Sequence, residues 1–105
     1  MMARSLQQFK AELFRALSHE VRIRVLEELR SGELSVGELQ ERLAVSGPNL
    51  SQHLAILRNQ SVLTTRREGT TVFYSMADQR IQNLLDDARA IFEEQLAVSS
   101  ALLDE

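Results

Sequence analysis

The sequence predicts a mainly helical α+β fold, a winged helix-turn-helix with the element order α-α-α-α-β-β-α. Three observations predict this fold. Residues 46–60 have an apolar stripe at helical spacing beside short polar side chains. Residues 62–76 change to Val, Thr, Phe and Tyr on either side of a Glu-Gly pair, which indicates a β-hairpin. The flanking segments return to helical spacing, and a single domain over residues 1–105 accounts for all of them.

Composition restricts the function before any motif is considered. The 105 residues are 44% hydrophobic and 26% charged, and no apolar run reaches the roughly 18 residues that span a bilayer. We therefore expect a cytoplasmic protein that has no membrane partner. The absence of Cys excludes disulfides, thiolate metal sites and Cys nucleophiles, and two His leave little material for a metal site within one chain. The sequence predicts no enzyme activity, no metal and no cofactor.

Two helices are predicted before the helix-turn-helix. Residues 3–17 have apolar side chains at helical spacing, and Ser18 breaks the pattern and caps. Residues 19–30 form a second amphipathic helix, which Gly32 ends. Both helices are expected to turn an apolar face inward.

The helix-turn-helix is predicted over residues 36–60. Ser35 and Glu38 match the capping box S-x-x-E, which opens a short helix over residues 36–43. A tight turn leads into the second helix, where Ser46 can cap the N-terminus and a Pro suits the first turn. The second helix of such a unit is typically the one that enters the DNA major groove.

Polar side chains of this second helix are the candidate DNA contacts. An ordinary polar surface helix is the alternative, but the position in the helix-turn-helix favours a DNA-reading role. Amide groups can pair with base edges, and hydroxyl groups can bond phosphate oxygens. The candidate residues are Ser46, Gly47, Asn49, Ser51, Gln52, His53 and Arg58.

The hairpin over residues 62–76 is the predicted wing, with its turn near Gly69. Arg66 and Arg67 lie just before the tip, and Thr70 lies just after it. These side chains are expected to hold phosphates or to enter the minor groove. The alternative is an ordinary hairpin with a polar tip.

The last helix is predicted over residues 78–97, with residues 98–105 frayed. A domain this small can hardly bury the apolar stripes of both its first and last helices alone, so a second copy is expected to cover them. The alternative is that the last helix only closes its own core. The predicted dimer interface consists of Leu6, Phe9, Leu13, Leu84, Ala88, Ile91 and Phe92.

The charge distribution gives weak support to DNA binding. The net charge of the chain is −3. Residues 45–80 have four Arg against two carboxylates, a surplus of +2, whereas residues 81–105 have one Arg against six carboxylates, or −5. The helix-turn-helix and wing therefore share the small positive surplus, and the acidic residues collect at the far end.

The resemblance of this chain to a known family rests on a set of short sequence motifs, or words. Together they cover roughly residues 13–76, and on them the chain resembles the ArsR/SmtB family of small bacterial repressors. The resemblance implies a homodimer that represses transcription by binding double-stranded DNA at an inverted-repeat operator and releases the DNA on a signal. The words are Ala16-Leu17-Ser18-His19, Arg22-Ile23-Arg24-Val25-Leu26, Val36-Gly37-Glu38-Leu39, Leu50-Ser51-Gln52-His53-Leu54 with Leu57-Arg58, Arg66-Arg67-Glu68-Gly69 and Val72-Phe73-Tyr74.

The departures from the family concern the signal. Members that sense metals or arsenite often carry Cys-x-Cys where this chain has Ser35-Val36-Gly37. Others use Asp, His and Glu along the last helix, which has no His here. Its carboxylates make either a weak hard-cation site or a solvated acidic face, and they are Asp86, Asp87, Glu93 and Glu94. The effector stays open between an organic ligand, a metal held by carboxylates, and none.

Two further expectations complete the sequence-based prediction. His19 matches a family position near a helix start and is expected to be structural, whereas His53 is expected to face DNA. A winged-helix protein-interaction module without specific DNA binding is the alternative function. Salt dependence distinguishes the two functions, because phosphate contacts release counterions and protein contacts need not.

Overall fold

The structure is a computed structural model that describes residues 3–103. It confirms the predicted order of helices and hairpin, and it adds one short strand. A 3-10 turn over Leu29–Ser31 follows the second helix. The helices are α1 Leu6–Leu17, α2 Glu20–Glu28, α3 Val36–Leu43, α4 Gly47–Asn59 and α5 Gln79–Leu103, and the strands are β1 Leu34–Ser35, β2 Leu63–Glu68 and β3 Thr71–Met76.

The unpredicted strand β1 lies at one edge of a three-stranded antiparallel sheet, in the order β1-β3-β2. Leu34 lies opposite Tyr74, and Ser35 lies opposite Phe73. Two residues are too few to show an alternating pattern in the sequence, so only the tertiary pairing with β3 defines this strand. β2 and β3 form the expected hairpin, and Gly69 at its tip has the positive φ of 63° that favours glycine in a tight turn.

Side-chain caps set the helix boundaries. The predicted capping box is confirmed, since the Ser35 hydroxyl accepts from the Glu38 N–H at 3.1 Å and the Ser35 N–H donates to Glu38 Oε1 at 3.0 Å. An unpredicted capping box at Ser5 starts α1 at Leu6 instead of residue 3. Ser18 ends α1, and the ring of His19 caps α2 by accepting from a backbone N–H.

The core lies between α2, α3, α4 and the start of β2. Its most deeply buried side chains have at most 2% of their surface exposed, and they are Val25, Leu26, Leu39, Leu43, Leu50, Leu54, Leu57 and Val62. Three of them are the stripe of α4, so the apolar spacing read from the sequence faces the core. This packing fixes α4 and leaves its other surface to solvent.

The last helix is longer than predicted. α5 continues through residues 98–103, where fraying was expected, and residues 104–105 lie outside the described residues. No Gly or Pro interrupts this stretch, so nothing in the chain breaks the backbone hydrogen bonding. Only Ile81 and Gln82 of this helix are buried. Most of α5 therefore extends beyond the body of the domain.

The described chain is elongated, with extents of 60 × 41 × 23 Å and a radius of gyration of 16.5 Å. A compact chain of this length has a radius of gyration of about 13 Å. The difference reflects the projecting α5. None of the described helices combines the length and the apolar character needed to cross a bilayer.

Candidate nucleic-acid interface

The N-terminal half of α4 presents a polar surface on a rigid support. Leu50, Leu54 and Leu57 anchor the helix in the core. The side chains of Asn49, Ser51 and Gln52 are exposed on the first two turns, which is where sequence reasoning placed them. Because the helix is fixed by its buried stripe, these polar groups have a defined direction in space.

The start of α4 is capped as expected. Ser46 accepts from the Asn49 N–H at 3.4 Å, a long bond, and Pro48 occupies the first turn. Gly47 packs near the side chain of Gln40 in α3, where an added Cβ would make ordinary contact at 3.6 Å. The packing between α3 and α4 therefore does not by itself require glycine at this position.

The turn between α3 and α4 is held by residues that sequence reasoning missed. Ala44 adopts the left-handed conformation at φ 54°, which a non-glycine residue seldom does. Arg24 of α2 donates to the carbonyl of Leu43 at 3.2 Å and so satisfies one of the free carbonyls at the end of α3. Residue type and spacing carry no signal for this contact, because the two residues are 19 positions apart.

The expectation that His53 faces DNA is wrong. The side chain is only 8% exposed and turns inward, with its ring centroid 4.2 Å from that of His19, the N-cap residue of α2. Its position explains this, since Leu50, His53, Leu54 and Leu57 share one side of the helix. The spacing was visible in the sequence, and the polar character of His obscured it. Its Nδ1 is buried and has no hydrogen-bond partner among the described residues.

Burial lowers the pKa of His53 below its ordinary value, and the nearby His19 and Arg22 lower it further. The unfolded chain therefore binds this proton more readily than the folded chain does. The stability that His53 contributes is complete above its unfolded pKa of 6.5 and is lost as the pH falls through the lower, folded value.

We expect the free energy of unfolding to decrease as the pH falls from about 7.5 to about 5.5, which spans the ordinary pKa of His. Urea denaturation at a series of pH values measures this. The Gln side chain of His53→Gln does not titrate in this pH range, so the free energy of unfolding of this variant is expected to depend less on pH. Equal slopes for the wild type and the variant would contradict a role for His53.

The two wing arginines have different surroundings. Arg66 forms ion pairs with Glu33 and Glu68 at 2.6 and 2.9 Å. Arg67 is exposed and forms no ion pair with any residue in the range 3–103. The two arginines are therefore not equivalent as candidate DNA contacts. Thr70 lies exposed at the tip of the hairpin.

A shallow groove of about 510 Å³ separates α4 from β3. Ser51 and Arg58 line it from α4, and Tyr74 lines it from the wing. Arg58 has no ion-pair partner in the described part of the chain. This groove brings one candidate hydroxyl and one candidate guanidinium together beside the wing.

The predicted dimer surface is apolar and open to solvent. Phe9 is 41% exposed, and Ile91 and Phe92 are 57% and 59% exposed. Leu6, Leu84 and Ala88 are exposed too, while Leu13 is half-buried. A pocket of about 530 Å³ between α1 and α5 is lined by Phe9, Leu13 and Leu84. The apolar stripes of both helices therefore have more surface than their own core covers.

The carboxylates of α5 do not converge. Asp86 bonds Arg30, and this hydrogen bond lowers the pKa of the Asp86 carboxyl below its ordinary value. Glu93 lies 3.5 Å from Arg89 one turn earlier. Within residues 3–103, no three His, Asp or Glu side chains are grouped closely enough to hold a metal ion.

Comparison with known proteins supports the nucleic-acid interpretation. The chain matches the family described as a helix-turn-helix domain over residues 17–66. It is 39% identical over 106 residues to the uncharacterized HTH-type transcriptional regulator Rv0081 of Mycobacterium tuberculosis, covering 100% of this chain and 93% of that protein. The crystal structure of Rv0081 superposes with a TM-score of 0.80 at 40% identity, covering 90% of this chain and 96% of that one.

A second relative is the HTH-type transcriptional repressor SmtB of Mycobacterium tuberculosis, which is 42% identical over 79 residues. The match covers 75% of this chain and 58% of SmtB. The chain belongs to the ArsR/SmtB family. It is therefore a DNA-binding transcriptional regulator with a winged helix-turn-helix fold.

One further similar solved structure is described as homodimeric. It is the solution structure of the winged helix-turn-helix DNA-binding domain Mb0332 of Mycobacterium bovis, a possible ArsR-family transcriptional regulator. It superposes with a TM-score of 0.79 at 25% identity, covering 91% of this chain and 94% of that chain.

Proposed function

We propose that two copies of this ArsR/SmtB-family chain pair through α1 and α5 and repress transcription by binding an inverted-repeat operator. The observation that carries the proposal is the exposed polar surface of α4, mounted on a stripe that is at most 2% exposed. In this assembly, each copy inserts its α4 into the major groove of one half-site. This role is binding and not catalysis, and it places the chain in the cytoplasm.

The division of work within the interface follows from side-chain chemistry. Asn49 and Gln52 carry amides that can form paired hydrogen bonds with adenine. Ser46, Gly47 and Ser51 lie at or near the helix N-terminus, which favours phosphate through its partial positive charge. Arg58, Arg67 and Thr70 supply further phosphate contacts around the groove and the wing.

Three observations support the dimer. The apolar surface of α1 and α5 is exposed in the single chain, and the radius of gyration of 16.5 Å exceeds that of a compact chain. Mb0332 is described as homodimeric, and the fold of this chain is similar to it. A twofold dimer also explains why an inverted-repeat sequence is the expected target, since protein and operator then share their symmetry.

A protein-interaction module remains the second candidate function. It is favoured by the engagement of Arg66 with two carboxylates, which leaves the wing with a single unpaired Arg among residues 63–76. Affinity for an operator that falls steeply with added salt supports the DNA-binding function. The absence of any preference for the operator over a scrambled duplex, together with no salt-dependent DNA binding, would support the second function.

Replacing Gln52 with Ala is expected to lower affinity for the operator by roughly tenfold or more, because a paired amide contact to a base contributes about 1–3 kcal/mol of discrimination. Competition binding with operator and scrambled duplexes measures it. The scrambled duplex should bind as before, since the amide is expected to contact base edges only. Equal weakening with both duplexes would make Gln52 a backbone contact and would leave base reading to Asn49.

A further inference from the structure

The guanidinium of Arg66 is held on three sides. It donates to both carboxylate oxygens of Glu33, from Nη2 at 2.6 Å and from Nε at 3.1 Å. It also donates from Nη1 to Glu68 at 2.9 Å. The ring of Phe73 lies beneath it, with the guanidinium carbon 4.6 Å from the ring centroid. Paired hydrogen bonds to one carboxylate, together with stacking on a ring, define both the position and the plane of this side chain.

The alternation of the β-strand separates Arg66 from Arg67. Successive side chains of a strand point to opposite faces of the sheet. Arg66 lies opposite Phe73, on the face that carries Glu33 and Glu68. Arg67 lies on the other face, the one from which Leu63 enters the core. Arg66 and Arg67 therefore point to opposite faces of the sheet and cannot make the same contacts.

Glu33 gives the Arg66 contact a consequence beyond the wing. It directly precedes β1, and α3 begins three residues later at Val36. The pair thus ties β2 to the segment that leads into the helix-turn-helix, across 33 positions of sequence. A change in the tilt of the wing relative to this segment would strain the paired bonds.

We propose that Arg66 is a positioning residue that fixes the wing to the helix-turn-helix through Glu33, so that Arg67 alone of the two meets the DNA phosphate. This inference rests on the proposed function, because a fixed wing matters when the wing and α4 hold one duplex together. The charges of Arg66 and its two carboxylate partners are consistent with this arrangement. The hydrogen bond from Arg66 lowers the pKa of the Glu33 carboxyl, and the two carboxylates raise the pKa of the Arg66 guanidinium. The charge of Arg66 is thus already matched within the protein.

The decisive variant is Glu33→Gln, because the two roles for Arg66 predict effects of opposite sign. If Arg66 positions the wing, loss of the paired bonds weakens operator binding, by about two- to fivefold for an exposed ion pair. If Arg66 holds a phosphate, Glu33→Gln frees the guanidinium and strengthens binding. Glu41→Gln is the matched control. It removes the same charge from an exposed carboxylate of α3 that has no ion pair among the described residues, and it should not weaken binding.

The salt dependence of operator binding provides the second comparison. Arg67→Met should lower the slope of affinity against salt by about one unit, the value for one phosphate contact. Arg66→Met, which keeps an apolar chain against Phe73, should weaken binding at an unchanged slope. The proposal is overturned if Glu33→Gln binds as tightly as the wild type or more tightly. It is equally overturned if Arg66→Met lowers the slope as Arg67→Met does.

Hydrogen exchange in the free protein separates this proposal from the proposed function. Amides of residues 63–76 should exchange faster in Glu33→Gln than in the wild type, while Glu41→Gln should leave them unchanged. If the wild type binds no duplex specifically, the proposed function fails and this measurement still decides whether Glu33 holds the wing. Unchanged exchange in Glu33→Gln would overturn the positioning role.

Discussion

Replacing Ile91 with Glu is expected to convert the protein to a monomer that no longer binds its operator. Ile91 is 57% exposed in the single chain, so the charge disturbs little within the domain. In the proposed dimer the same charge lies in an apolar interface, where an unpaired carboxylate is strongly unfavourable. A monomer can engage only one half-site and loses the roughly 34–36 Å spacing that the dimer fixes. Sedimentation and operator binding measure the two effects.

Ala90→Glu is the matched control for this prediction. It adds the same charge one residue earlier on α5, so the side chain points about 100° away around the helix. Ala90 is exposed, and this variant should remain a dimer that binds operator DNA. A stable dimer for Ile91→Glu would show that the interface lies elsewhere. Loss of the dimer in both variants would mean that charge on α5, whatever its direction, is responsible.

Replacing Leu54 with Ala is expected to lower the free energy of unfolding by about 2–5 kcal/mol, because it leaves a cavity in a packed core. Leu54 is 2% exposed and packs in the cluster that joins α2, α3 and α4. Under conditions where Leu54→Ala is partly unfolded, it should bind both the operator and the scrambled duplex less well. Chemical denaturation gives the change directly.

Gln52→Ala serves as the control for Leu54→Ala, because Gln52 lies on the same helix with its side chain in solvent. It should leave the free energy of unfolding within about 0.5 kcal/mol of the wild-type value. The two substitutions thus separate the buried surface of α4 from its exposed surface. A Leu54→Ala protein as stable as the wild type would contradict the packing described above.

The sequence by itself determined the order of the helices and the hairpin, and the anchoring of α4. Leu50, Leu54 and Leu57 recur at helical spacing, and burial of apolar surface is the dominant favourable contribution to folding, so their direction is predictable. The capping box at Ser35 is likewise local, because its two bonds join residues three apart. The family resemblance rested on such local words, and the comparisons with known proteins confirm it.

The tertiary structure decided the contacts that join distant parts of the chain. The ring of His53 lies beside that of His19, which caps α2, and Arg66 is matched with Glu33, which directly precedes the strand β1 that pairs with β3. The sequence favoured DNA contacts for both, because His53 lies in the predicted reading helix and Arg66 lies just before the tip of the predicted wing. Whether the Arg66 side chain stays in solvent or bonds within the protein depends on a partner 33 residues away, and spacing within one segment cannot reveal that partner.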